Sequence, residues 1–169
     1  MKKIALWLVG LVLAVGAEAA DATDFVATLI AKAETESQAS VRDYECTQIG
    51  PTMISMMSAA IPTNDKIDAG EREAMELLLS QLKSICVFAP TARYDYYYGL
   101  ATGMLEARST IYEEIVGSDD EATVWCRRTG SKVIELVVIT YKAGTALSIV
   151  GITGDIDEEL IATLMAMQL

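Results

Sequence analysis

The stretch from Ala122 to Leu169 constrains the fold most, because it sets three β-rich segments one after another with links too short for a crossover. Thr123–Arg128, Val133–Tyr141 and Ala146–Thr153 are rich in β-branched and aromatic residues. Their links, Thr129–Ser131 and Lys142–Gly144, carry Gly130 and Gly144. Strands joined this closely pair antiparallel, so a three-strand meander is expected. Asp155 to Glu159, followed by Leu160, Ile161 and Leu164, predicts a closing helix capped by Asp155 or Asp157.

At the other end, Lys2 and Lys3 precede an apolar run from Ile4 to Ala17, and Ala17, Glu18 and Ala19 form the small-x-small pattern that signal peptidase accepts. Residues 1–19 read as a cleaved secretory signal and residues 20–169 as a single α+β domain. The run is shorter than the ~20 apolar residues needed to span a bilayer. No cysteine follows it to carry a lipid, so no stable membrane anchor is expected after cleavage, and the expected location is periplasmic or secreted. The formal charge is −11 at pH 7, and losing Lys2, Lys3 and Glu18 makes the chain one unit more negative. That balance argues against nucleic acid and anionic lipid as partners.

Between these ends, Asp24 can cap a helix whose face is marked by Phe25, Leu29 and Ala33. Val41 to Thr47 alternates like a strand with one polar face, an edge-strand pattern. Gly50 and Pro51 break it, and a helix from Thr52 to Ile61 carries Met53, Ile54, Met56 and Met57 as core filling. Pro62 to Gly70 reads as a long loop, Glu71 to Leu82 as a helix and Ser84–Phe88 as a strand buried on both faces. A long helix is expected from about Arg93 to Val116, where Tyr94, Tyr97 or Tyr98, Ala101, Leu105, Tyr112 and Ile115 recur at roughly helical spacing. The element order predicts an α+β fold, a mixed sheet of about five strands ending in the antiparallel three-strand meander, with helices mainly on one face.

Several of these segments resemble a known family. Phe25, the stretch from Ser40 and Val41 through Met53–Met57, Ile111–Ile115, Ile134–Val138, and Ile149–Asp157 with Gly154 and Asp157 are similar to the bacterial envelope family catalogued as domain of unknown function 4252. The resemblance implies an exported α+β domain without known catalytic residues.

No catalytic motif stands out. Histidine is absent, which removes the usual proton shuttle and the commonest metal ligand. There is no Gly-rich phosphate loop, no G-x-S-x-G and no CxxC, so no enzyme activity, cofactor or metal is expected. Cys46, Cys86 and Cys126 each fall in a predicted strand and read as buried thiols, with a disulfide between two of them as the alternative in an oxidising compartment. Asp155, Asp157, Glu158 and Glu159 lack EF-hand spacing and suit a helix start better than calcium. Asp119, Asp120 and Glu121 read as a solvated turn.

Two surfaces are candidates for binding. Tyr94, Tyr96, Tyr97 and Tyr98 point around most of a helix, so at least one should be exposed or lie at an interface. On the sheet, a tight turn at Ala143–Gly144 sets Tyr141 opposite Ala146, Ile139 opposite Ser148 and Val137 opposite Val150. With the helices on the Leu136 and Ile149 side, Trp125, Val137, Ile139, Tyr141 and Val150 would form a bare apolar face that soluble monomers seldom expose. The expected function is therefore a non-enzymatic protein-interaction or self-associating domain of the envelope. Its partner would be an unknown envelope protein or a second copy. The alternative is a small-ligand carrier or a carboxylate-based hydrolase.

Overall fold

A computed structural model describes residues 24–36, 43–59, 69–116 and 122–161. The expected signal at 1–19, most of the Pro62–Gly70 loop and the turn at Asp119–Glu121 lie outside the described residues. In chain order the elements are helix α1 (Phe25–Glu36), strand β1 (Tyr44–Ile49), helices α2 (Pro51–Ala59) and α3 (Ala69–Gln81), strand β2 (Leu82–Pro90), helix α4 (Tyr94–Glu106), and strands β3 (Glu113–Val116), β4 (Ala122–Thr129), β5 (Lys132–Lys142) and β6 (Ala146–Asp157). The fold is α+β.

The strands form one sheet in the order β1-β2-β6-β5-β4-β3, with every neighbouring pair antiparallel. This corrects the expected mixed sheet of about five strands, and the cause is the number of helical passes. One helix between strands returns the chain to the end where it started, which makes the strands parallel. The two helices α2 and α3 carry it out and back, so β2 runs against β1. The single helix α4 does leave β2 and β3 running the same way, but at separated places in the sheet. The meander has four strands, because the predicted long helix stops at Glu106 and Glu113–Val116 pairs with β4.

Helices cover both faces, which corrects the expectation of one. On one face α1 and α4 pack over Tyr44, Phe88, Val137, Ile139, Leu147 and Ile149. On the other, α2 and α3 cover Ile49, Ile85, Val87, Leu136, Val150 and Ile152. Such a sheet must be apolar on both sides, and burial of roughly 1.5–3 kcal/mol per large apolar side chain holds the layers together. α1 follows its sequence closely: Asp24 caps it by accepting a hydrogen bond from the Ala27 amide at 2.8 Å, and Phe25, Leu29 and Ala33 are buried.

Register decides which residues share a face. The β5–β6 link uses three residues, Ala143 to Thr145, closed by the Thr145 amide donating to the Lys142 carbonyl, and Gly144 takes φ +65°. Tyr141 therefore stands opposite Leu147, Ile139 opposite Ile149 and Val137 opposite Gly151, one residue from the expected alignment. A one-residue slip exchanges the faces of β6, so Val150 joins Leu136 while Ile149 joins Val137. At the β4–β5 link the loop is only Gly130 and Ser131, but a bulge past Arg127 restores the phase and sets Trp125 opposite Val137.

Glycine is required where backbone crosses backbone. A Cβ on Gly154 would come 2.4 Å from the Gln81 carbonyl and 3.2 Å from Leu82 Cα, at the junction of α3 and β2.

Candidate functional site

The proposed bare sheet face is not bare. Val137 and Ile139 are 0% and 1% exposed beneath α1 and α4, Trp125 and Tyr141 are half-buried, and Val150 lies in the opposite core. The expectation of an exposed patch made of these five residues is corrected by the register and by the helices on both sides.

The face instead contains a buried polar centre. Glu135 is fully buried. Its Oε1 accepts a hydrogen bond from the Phe25 amide at 2.6 Å, and its Oε2 accepts from the Tyr112 hydroxyl at 2.7 Å and from Arg127 at 2.9 Å. β5 supplies the acid, β4 the guanidinium, and the N-terminus of α1 the amide, where the helix dipole favours negative charge. Arg127 also lies over the Tyr112 ring, 6.0 Å from its centroid. Burial and the bond to Glu135 push the Tyr112 hydroxyl above its ordinary pKa, so it stays a donor. Asp24 is also buried, and burial raises its carboxyl despite the bond from the Ala27 amide, with Glu135 adding repulsion. The centre can hold α1 on the sheet. Its one sequence signal is Glu135 itself, the only acid within the apolar β5 run.

The raised carboxyl of Asp24 has a definite sign. A folded-state pKa above the unfolded value means that the folded chain binds more protons between the two. The penalty is fully present above the folded-state pKa, fades as the pH falls through it and is gone below the ordinary value of 3.8. Asp24→Asn keeps a good cap and removes the charge. Urea unfolding should show the variant at least as stable as wild type at pH 7, with the advantage gone near pH 3. A variant weaker than wild type at pH 7 by more than about 1 kcal/mol would contradict this.

The tyrosines divide by role. Tyr97 is buried, and its hydroxyl donates to Asp43 while accepting from Arg93 Nη2 at 2.9 Å. Burial, reinforced by Asp43, pushes the Tyr97 hydroxyl up to about 12. Arg93, with φ 51°, precedes α4 in a left-handed conformation and grips Asp43, whose carboxyl it lowers to about 2. Tyr96 is 37% exposed and donates to Glu36 at 3.2 Å. Tyr94 is half-buried and donates to the Thr91 carbonyl at 3.2 Å. Tyr98 stacks on Tyr141 with ring centroids 3.8 Å apart, and Tyr141 donates to Asp95 at 2.6 Å. Asp95 also accepts from the Gly144 amide, so its carboxyl sits below the usual range and the first turn of α4 is tied to the β5–β6 turn.

The acidic stretch before the last helical turn is structural too. Asp155 pairs with Lys83 at 2.8 Å, and Asp157 holds Lys132 and Gln81. Among the described residues no three His, Cys, Asp or Glu side chains converge to hold a metal ion. Among the same residues no helix is long and apolar enough to cross a membrane.

Fold and polar ties together define an antiparallel α+β sandwich in which the ionisable groups brace helices against a sheet. The chain belongs to the family described as Domain of unknown function (DUF4252), whose model matches residues 42–164. No curated protein and no solved structure matches it.

Proposed function

We propose that the chain is an exported, non-enzymatic binding module that holds a basic protein surface of the envelope on the outer side of α4. The observation that carries this is the tyrosine-rich first half of α4. Its exposed Tyr96 is bonded to Glu36, and elsewhere around the same turns stand Tyr94 and the half-buried pair Tyr98 and Tyr141, the latter bonded to Asp95. Tyrosine gives large contact area at low entropic cost and accepts cations on its ring face, as Tyr96 already does with Arg93 at 5.0 Å from its centroid. A formal charge of −11 steers a basic surface toward such a patch and opposes a second copy of the same chain. Asp24 and Glu135, the adjoining acids that a carboxylate hydrolase would draw on, are enclosed beneath α1, which favours the binding reading.

The test is comparative capture. The exported protein should begin at Ala20 by intact mass, and the partner it retains from envelope extract should be lost at high salt. Tyr94→Ala with Tyr96→Ala should lower that affinity at least about tenfold in a variant that stays folded by circular dichroism. Retention that is indifferent to both salt and the double substitution would refute the assignment, and a chain retaining residues 1–19 would refute release as a soluble exported protein.

A further inference from the structure

Cys46 and Cys86 face each other diagonally across the β1–β2 pair. Cys46 stands opposite Phe88 and Cys86 opposite Gln48, so both side chains leave the sheet on the same side, and their Sγ atoms are 3.5 Å apart. Cys126 stands opposite Leu136 in the core under α2 and α3, away from both. We propose that Cys46 and Cys86 form a disulfide by exchange with a disulfide-bearing oxidant, and that this bond staples the edge strand β1 to the sheet.

Closure brings the two sulfurs to about 2.05 Å. The required approach of roughly 1.5 Å falls to β1, a six-residue strand that among the described residues is at the sheet edge and bonded on one side only. Cys46 is half-buried and Cys86 buried, so an oxidant meets Cys46 first. The adjacent Cys46 thiol and burial together push the Cys86 thiol up, and the more exposed Cys46 is the one that attacks, as its thiolate. That thiolate displaces one half of the oxidant as a thiol and becomes a mixed disulfide. The Cys86 sulfur then loses its proton and displaces the other half. Two cysteine thiols and one oxidant disulfide become one protein disulfide and two small thiols, with two electrons passed to the oxidant.

The bond closes a loop between residues 40 positions apart, enclosing α2 and α3. The export reading supplies a compartment where such oxidants persist. The pair itself needs only the geometry of β1 and β2, so the two are separable by experiment.

The purified chain would be equilibrated with glutathione from fully reduced to fully oxidised, quenched in acid, alkylated, weighed and mapped without reduction. Two of the three thiols should vanish together, in a cross-linked pair of peptides holding Cys46 and Cys86. Cys126 should remain alkylatable after unfolding, and the oxidised chain should melt at least about 5 °C above the reduced one. Cys86→Ser should stop at a glutathione adduct on Cys46, while Cys126→Ser should close as wild type does. Three thiols surviving in oxidised glutathione, a persistent adduct on wild-type Cys46, or a cross-link through Cys126 would overturn the proposal. A chain that closes in glutathione but is recovered reduced from cells would count against export and leave the pair intact.

Discussion

Glu135→Leu should destabilise the protein by about 3–5 kcal/mol, read as a fall in the urea midpoint at pH 7. The leucine fills the space but accepts no hydrogen bond. The Phe25 amide and the Tyr112 hydroxyl would be left without their partner inside the core, and Arg127 would lose the carboxylate it points at. Unsatisfied buried groups cost about 1–3 kcal/mol each. Domains of this kind are held by only about 5–15 kcal/mol, so the variant should sit close to unfolding. Glu135→Gln should fall between the two, because its carbonyl oxygen can serve one donor while its amide nitrogen confronts another. The loss should localise, with amide exchange rising first in α1. A Glu135→Leu variant within about 1 kcal/mol of wild type would show that α1 is held by Phe25, Val26 and Leu29 alone.

Gly154→Ala should cost about 3 kcal/mol, an effect at the upper end of what overpacking usually causes. The added Cβ would sit 2.4 Å from the Gln81 carbonyl oxygen, and neither strand nor helix can yield there without breaking the bonds by which Gln81 meets the Asp157 amide and side chain. Gly151→Ala is the matched comparison. Its Cβ would come 2.8 Å from Val26 Cγ2, a side-chain methyl rather than a backbone atom. Calorimetry should find the Gly154 variant melting well below the Gly151 variant. Equal melting temperatures would show that backbone and side-chain obstacles yield equally here.

What could be read from the residues depended on whether the signal was local. The cap of α1 and its buried face follow from Asp24, Phe25, Leu29 and Ala33, and β4, β5 and β6 follow from their composition. β3 was hidden because Tyr112 and Ile115 continue the spacing of the α4 residues, although the chain leaves the helix after Glu106. The position of Thr145 in the β5–β6 link moved every residue of β6 to the opposite face, which no composition reveals. The braces behaved alike. A lone acid in an apolar strand announces that Glu135 needs partners, but Phe25, Tyr112 and Arg127 come from three other parts of the chain, and only the sheet order brings them together.

That order also has a consequence for how the chain is made. β6 is the last strand in sequence among the described residues yet sits near the middle of the sheet, with β2 on one side and β5 on the other. Until it emerges, β1 with β2 and β3 with β4 and β5 are two fragments of sheet with no shared hydrogen-bonded edge, and neither has its full neighbour set. Pairings between distant parts of a chain form slowly, and these wait for residues 146–157. A ribosome-bound chain ending before Ala146 should therefore remain open to proteases along most of its length, and protection should arrive in one step when the final strand slots between the halves.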